Sequence, residues 1–268
     1  MIDIEQTLLG DVSICYSGGL DSTTLAYLAA KKGKGKVHLH TLYHGYGYLF
    51  NNWIKRTVAS LKKALPDDVV SHRYMNTKDL FDLVAMKSLR SDHKKYGQWF
   101  GCCLGCTLSA ITKIIIYNLE NGIPHVFFGS SVGGQYTVMS KPITADALKE
   151  LCNTYGLIYS SPLIENNIVK EQERELMDSV GIFRGYRFLD KHSFGNQGYC
   201  LLSLQHLPDV LLNLHPKYDD SPVQQFLDDK LPICKQFVED HFKDKGQNLE
   251  ERIVTIKDIT SADPKGDE

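Results

Sequence analysis

The segment Ser17–Thr23, which reads SGGLDST, constrains the fold of this 268-residue chain most strongly. An apolar run at 12–16 precedes it and a helical pattern at 24–30 follows it. A strand, a glycine turn and a helix start in this order point several backbone N–H groups at one spot, with the positive end of the helix dipole behind them. The two glycines lack the Cβ atoms that would hold a bulky anion away. The segment therefore predicts a phosphate-binding or pyrophosphate-binding loop, and it is not the GxxxxGK[ST] loop because no lysine follows the second glycine.

Residues 17–22 resemble the SGGxDS signature of the PP-loop ATP pyrophosphatases. That family includes tRNA thiolation enzymes, 7-cyano-7-deazaguanine synthase, GMP and asparagine synthetases, and NAD synthetase. The resemblance implies that ATP is cleaved between its α- and β-phosphates, that AMP is placed on a carbonyl oxygen or carboxylate of the substrate, and that the loop holds pyrophosphate. It does not identify the acceptor. The residues that it implies for ATP binding are Ser17, Gly18, Gly19, Asp21, Ser22 and Thr23.

Three further features belong to the predicted ATP site. Asp21 would either help to hold Mg²⁺ at the pyrophosphate or cap the helix that follows it. Tyr43 lies at the end of the second predicted strand, where it would either stack on adenine or pack within its own aromatic loop. Gly129 and Ser130 end the fourth predicted strand, where the backbone can approach a nucleotide.

Strand and helix patterns alternate along the first 180 residues, which predicts a parallel sheet with right-handed crossovers. We expect an α/β fold with a doubly wound parallel sheet, and the resemblance implies the HUP-like, adenine nucleotide alpha hydrolase type. The predicted domains are a PP-loop domain at 1–180, a helical C-terminal region packed on it at 181–250, and a loose tail at 251–268. The predicted strands are 12–16, 37–43, 69–74, 124–130 and 157–163, and the predicted helices are 22–32, 51–65, 108–119, 144–155, 168–180, 203–213 and 222–243. Residues 78–90 are predicted to be either a further crossover helix or an insertion.

Composition narrows the setting of the protein. The formal charge of −2 gives no general attraction to nucleic acid. We expect no apolar run to reach the roughly 18–20 residues of a membrane span. The N-terminus lacks the pattern of a signal peptide. Seven cysteines, an odd number, indicate a reducing compartment. We therefore expect a cytoplasmic protein that does not engage a membrane.

A second informative stretch is the C-x-x-C formed by Cys103 and Cys106, with Cys102 beside it. It ends where the helix at 108–119 is predicted to begin, so the helix dipole would favour a thiolate and lower the thiol pKa. The same spacing suits a metal ion, and a pair of buried thiols is the alternative. Cys200, 94 residues downstream of Cys106, is the candidate third partner. Cys15, Cys152 and Cys234 are predicted to be core residues.

The cysteine layout extends the resemblance to the thiolation branches of the family. The 2-thiouridylase type uses two separated cysteines as nucleophile and persulfide carrier, and the 2-thiocytidine type uses three as ligands of a [4Fe–4S] cluster. Cys103, Cys106 and Cys200 match the second pattern in spacing, and Cys102 is extra. The chain lacks the arginine-rich run that follows the C-x-x-C in the tRNA-acting 2-thiocytidine branch.

These observations predict an ATP-dependent sulfurtransferase that adenylates a nucleobase carbonyl, in tRNA or in a free small molecule, and replaces the oxygen with sulfur. Its partners would be ATP with Mg²⁺, the nucleobase-like acceptor and a sulfur donor, and the sequence leaves a homodimer open. Two alternatives remain at this point. One is a ligase that uses ammonia, as in 7-cyano-7-deazaguanine synthase. That family binds zinc through four clustered cysteines near its C-terminus, whereas residues 201–268 of this chain hold only Cys234. The other is a nucleotide-binding regulator without catalysis.

Overall fold

The computed structural model describes residues 10–49, 51–97, 100–132, 137–182, 199–202 and 218–261. The predicted helix at 203–213 lies outside these residues. The strands are β1 (Val12–Cys15), β2 (Val37–Tyr43), β3 (Tyr48–Leu49), β4 (Val70–Asn76), β5 (His125–Phe128), β6 (Ile158–Ser160) and β7 (Tyr199–Cys200).

Five of these strands form one parallel sheet in the order β4-β2-β1-β5-β6, and β3 pairs with β7 in a separate antiparallel pair. The chain winds outward from β1 to β2 and β4 on one side, and then returns to place β5 and β6 on the other. The order therefore reverses between β1 and β5. In doubly wound sheets ligands bind at the carboxyl ends of the strands that flank such a reversal. The predicted α/β class and parallel sheet are confirmed.

The helices cover both faces of the sheet. They are α1 (Leu20–Lys32), α2 (Asn51–Lys63), α3 (Lys78–Phe81), α4 (Leu89–Tyr96), α5 (Gly101–Asn121), α6 (Pro142–Thr154), α7 (Pro162–Glu165), α8 (Lys170–Ser179), α9 (Asp220–Asp244) and α10 (Leu249–Ser261). The crossover helix considered for residues 78–90 is divided, because a π-helical turn, Asp82–Met86, separates α3 from α4.

Alternate residues of the strands belong to two hydrophobic cores, one on each face of the sheet. On one face, Ile14 and Leu39 pack with apolar side chains of α1, α2 and α8. On the other face, Val126 packs with α5 and α6, and Phe226 of α9 belongs to the same core. Because a strand residue and its neighbour point to opposite faces, Val126 and Phe127 are divided between the two cores. Helix α9 therefore shares its apolar residues with the sheet domain.

Helix α5 begins seven residues earlier than predicted, at Gly101 instead of residue 108. Two glycines in its first turns lower the intrinsic helix propensity, but packing requires one of them. A Cβ on Gly105 would lie 2.8 Å from the Cβ of Ala85, so glycine lets α5 approach the π-helical turn. By length and composition α5 could also cross a membrane, contrary to our expectation from the sequence, yet 83% of its most apolar window is buried. It is the central helix of one core.

The loose tail predicted from residue 251 is wrong for residues 251–261, which belong to α10. The Asn248 side chain accepts a hydrogen bond from the backbone N–H of Glu250 at 3.0 Å, which is the capping arrangement of a helix start. Ile256 is fully buried in the core that α5 and α9 share. Capping and one buried side chain thus order a segment whose polar composition indicates a loose chain. The remainder, 262–268, lies outside the described residues.

A buried histidine in β2 makes the stability of the fold depend on pH. His40 is fully buried, its Nε2 lies 3.0 Å from Ser13 Oγ, and its Nδ1 has no hydrogen-bond partner among the described residues. Burial is the largest cause that lowers the pKa of His40, from 6.5 to about 3. The unfolded chain therefore binds the proton more tightly. The contribution of His40 to stability is lost as pH falls below 6.5, at about 1.4 kcal/mol per pH unit.

We expect His40→Gln to flatten the dependence of the free energy of unfolding on pH by about one proton between pH 6 and pH 4. Urea denaturation at a series of pH values measures this slope. Ser13→Ala is the matched control, because it removes a partner of the imidazole but keeps the titrating group, and it should lower stability while retaining the slope. A slope in His40→Gln equal to that of the wild type would contradict the prediction.

Candidate nucleotide and thiol site

The glycine loop joins the carboxyl end of β1 to the start of α1, at the point where the strand order reverses. Gly18 has φ +76°, a conformation that favours glycine, and Gly19 is the N-cap of α1. The Ser17 hydroxyl accepts a hydrogen bond from the Gly19 N–H at 3.2 Å and lies 3.3 Å from the Ser22 hydroxyl. The N–H groups of the first helical turn point out of this end of α1. This is the geometry of an anion site.

The end of β5 lies directly against this loop. A Cβ on Gly129 would lie 2.8 Å from Ser22 Cα and 2.9 Å from Ser22 N, so only glycine fits without a shift of the backbone. The hydroxyl of Ser130 donates to Ser140 Oγ at 2.8 Å. Gly129 therefore acts as a spacer that sets the position of the loop, and the Ser130 hydroxyl is turned toward the 3₁₀ turn at Val138–Ser140.

Tyr43 and Thr23, two residues predicted to bind ATP, lie in different surroundings. Tyr43 ends β2 and is 44% exposed, at the carboxyl edge of the sheet. The Thr23 hydroxyl lies 3.2 Å from the Tyr16 hydroxyl, inside the protein. Part of the Tyr43 side chain is thus exposed to solvent at this edge of the sheet, whereas the hydroxyl of Thr23 supports the loop from inside the protein.

A cluster that the sequence does not predict surrounds Asp21. A parallel bridge between Val132 and Val169 brings the start of α8 beside the loop. Lys170 then forms an ion pair with Asp21, and Ser131 donates a hydrogen bond to the same carboxylate at 3.4 Å. Asp21 is therefore held by a lysine and a hydroxyl at the first turn of α1.

Glu173 lies one turn further along α8 and is 0% exposed. Its Oε1 is 4.0 Å from Lys170 Nζ, and neither of its oxygens has a hydrogen-bond partner among the described residues. Burial, and then the negative charge of Asp21, raise the pKa of Glu173 to about 7. Lys170 and Asp21 are 149 residues apart in the sequence. Asp21 and Lys170 share no sequence motif. Only the crossover that places α8 on the sheet brings the two side chains together.

The first turns of α5 carry Cys102, Cys103 and Cys106. Burial, and then negative charge on Cys102 and Cys200, raise the pKa of Cys103 to about 12. Burial and then Cys200 likewise raise the pKa of Cys102. The predicted fall in thiol pKa at this helix start is therefore wrong for both residues, because desolvation opposes the thiolate. The sequence leaves Cys102 as an extra residue, but its pKa and that of Cys103 are both raised by the charge of Cys200.

Cys200 lies in β7, in the small antiparallel sheet with β3. It pairs with Tyr48 of β3, and the N–H of Leu201 donates to the carbonyl of Gly47 at 3.2 Å. His44, in the same segment after β2, places its Nε2 3.1 Å from Cys200 Sγ. The segment that leaves the sheet at β2 thus holds Cys200 beside the start of α5.

Metal binding by these cysteines is not supported. Within the part of the chain that the structure describes, no three His, Cys, Asp or Glu side chains are grouped so as to hold a metal ion. The placement of Cys103, Cys106 and Cys200 therefore does not fit the predicted iron–sulfur site, nor a zinc site. Cys152 and Cys234 are buried, and burial raises the pKa of Cys15 to about 12, as expected for core residues.

A small cleft lies at the start of α5, beside Cys102 and not beside the glycine loop. Its lining is Ala85, Leu89, Asp92, His93, Tyr96, Gly101 and Cys102.

The order of the five parallel strands, which reverses beside the glycine loop, is that of a doubly wound α/β fold. Comparison with solved structures agrees with this class. A 4-thiouridine synthetase bound to RNA and ATP matches with a TM-score of 0.54 at 14% identity, over 87% of this chain and 53% of that chain. This chain therefore spans about half the length of the synthetase. The resemblance to PP-loop ATP pyrophosphatases is confirmed at the level of the fold.

Two archaeal proteins match less well. A predicted tRNA methyltransferase subunit from Methanocaldococcus jannaschii has a TM-score of 0.42 at 17% identity, over 63% of this chain and 75% of that one. The U34-tRNA thiolase NcsA from Methanococcus maripaludis, which carries a [4Fe-4S] cluster, has a TM-score of 0.44 at 14% identity, over 88% of this chain and 74% of that one. No family model matches the sequence, and no curated protein matches it.

Proposed function

We propose that this protein is an ATP-dependent sulfurtransferase that adenylates the carbonyl oxygen of a nucleobase and replaces that oxygen with sulfur. The observation that carries the proposal is the presence in one fold of a glycine loop at the start of α1 and three thiols, Cys102, Cys103 and Cys200, whose ionisations influence one another. The 4-thiouridine synthetase with the same fold was solved with ATP and RNA. This supports a nucleobase, in RNA or free, as the acceptor.

In the first step the carbonyl oxygen of the base attacks the α-phosphorus of ATP. The bond from that phosphorus to the bridging oxygen breaks, and pyrophosphate leaves with the electron pair. The N–H groups at the start of α1 and the hydroxyls of Ser17 and Ser22 would hold the pyrophosphate and stabilise its charge. Lys170 supplies a cation at the same place. Mg²⁺ would be held by Asp21 with Glu173, since this ion takes one or two carboxylates together with phosphate oxygens, and it would neutralise leaving-group charge.

In the second step a cysteine persulfide, formed from a persulfide-type sulfur donor, attacks the activated carbon. The carbon–oxygen bond breaks and AMP leaves. A second thiolate then attacks the Sγ of the first cysteine. The bond from that Sγ to the transferred sulfur breaks, the thiocarbonyl product leaves with the electron pair, and a disulfide joins the two cysteines. A dithiol reductant returns the disulfide to two thiols. Cys103, Cys106 and Cys200 are the candidate carriers.

Anaerobic turnover tests the proposal. The full chain is incubated with ATP, Mg²⁺, a panel of tRNA transcripts and free bases, and either sulfide, a persulfide donor or ammonium. Pyrophosphate release and the mass of the acceptor are followed. We expect pyrophosphate together with the mass gain of an oxygen-to-sulfur exchange. Exchange of oxygen for nitrogen would overturn the proposal in favour of an amidating ligase, and bound ATP without pyrophosphate for every acceptor would favour a regulator.

A further inference from the structure

The hydrogen bond from Tyr46 favours one tautomer of neutral His44. The backbone N–H of Tyr46 lies 3.1 Å from His44 Nδ1, and a backbone N–H can only donate. Nδ1 is therefore an acceptor, and the neutral ring carries its hydrogen on Nε2. Because Nε2 lies 3.1 Å from Cys200 Sγ, its N–H donates to the sulfur.

The ring of His44 is held in place from several sides. It stacks on Phe81 with centroids 4.8 Å apart and planes 25° apart, and it is 1% exposed. Tyr46, which supplies the N–H to Nδ1, is itself anchored by its hydroxyl, which donates to Asp82 Oδ1 at 2.5 Å. Burial lowers the pKa of His44, so the ring is neutral at neutral pH. The imidazole is a fixed, uncharged donor.

We propose that His44 is a positioning residue that selects Cys200, among the three neighbouring thiols, as the one that carries negative charge and reactive sulfur. A hydrogen bond to an anionic acceptor is stronger than one to a neutral acceptor, so the Nε2–H favours the thiolate or persulfide anion at Cys200. Neighbouring negative charges disfavour one another, and burial disfavours a thiolate at Cys102 and Cys103.

This assignment differs from a cysteine–histidine ion pair. In such a pair the imidazole takes the proton of the thiol. Here Nε2 already holds its proton, and protonation of Nδ1 would break the hydrogen bond from Tyr46. His44 thus orients the sulfur and stabilises its charge without accepting its proton. The role as selector of the sulfur carrier rests on the proposed function.

Site-resolved alkylation tests the proposal. The full-length protein is treated anaerobically with iodoacetamide at neutral pH, and the rate at each cysteine is followed by peptide mass spectrometry. In the wild type we expect Cys200 to react faster than Cys102 and Cys103. In His44→Phe, which keeps a flat ring against Phe81 but has no donor, Cys200 should react about tenfold more slowly, with Cys102 and Cys103 unchanged.

A second pair of variants keeps the test decisive if the Phe variant unfolds. The side-chain amide of His44→Gln can reach the position of Nε2, whereas that of His44→Asn can meet Tyr46 but not the sulfur. Gln should retain most of the Cys200 rate and Asn should lose it. Equal Cys200 rates in Gln and Asn, or in Phe and the wild type, would overturn the proposal.

The alkylation reaction needs neither ATP nor an acceptor. If the turnover experiment fails while alkylation behaves as expected, the function is wrong and the interaction between His44 and Cys200 stands. If turnover succeeds while alkylation is indifferent to residue 44, the sulfurtransferase stands and the assignment to His44 falls.

Discussion

Replacing Gly129 by alanine is expected to lower the affinity for ATP at least about hundredfold, or about 2.7 kcal/mol. The added Cβ would lie 2.8 Å from Ser22 Cα and 2.9 Å from Ser22 N, and both are backbone atoms of the first turn of α1. They cannot rotate away as the end of a flexible side chain does. The first turn of α1 must therefore move, and its N–H groups would no longer point at the position proposed for the pyrophosphate.

Isothermal titration of ATP into the folded variant measures the effect, with circular dichroism as the check on the fold. Gly246→Ala is the matched control. Gly246 has φ +63°, so alanine there strains the backbone, but a Cβ meets no atom within 4 Å. That variant should lose some stability and keep its ATP affinity. Wild-type affinity in a folded Gly129→Ala protein would show that the nucleotide does not bind at this loop.

The second large effect is expected at the thiols. Cys200→Ser should lower thiolation at least about a thousandfold, while ATP binding and the first release of pyrophosphate persist. A serine hydroxyl fits the space next to His44 but cannot carry a sulfane sulfur. Single-turnover assays with radiolabelled ATP separate the two steps, because adenylation and sulfur transfer release different products. Full thiolation by Cys200→Ser would remove this residue from the reaction.

Variants at the other cysteines identify the second thiol of the proposed cycle. We expect Cys106→Ser to lose thiolation as Cys200→Ser does. If Cys106→Ser instead keeps full activity, the second thiol is Cys102 or Cys103, whose ionisation is coupled to Cys200 in the structure. Cys152→Ala is the control, since this buried thiol lies in the core with α5 and α6 and its loss should affect stability alone.

The loop could be predicted residue by residue because its determinants are local. Strand, glycine turn and helix start lie within about twenty residues, and each follows from the pattern of apolar residues and glycines. The parallel sheet followed from the alternation of strands and helices. The wrong predictions for the start of α5 and for α10 have a different origin. Gly105 belongs to α5 because a neighbouring turn requires a close approach, and α10 forms because Ile256 is buried against distant helices.

The sequence by itself determined the glycine loop, the α/β class and the candidate cysteines, since these depend on spacing and local geometry. Only the tertiary structure decided which groups meet. It placed Lys170 and Glu173 beside Asp21, and it joined His44 to Cys200 across 156 residues. It also set the ionisation of the thiols, because burial depends on the whole fold, whereas a helix start can be recognised from a few residues.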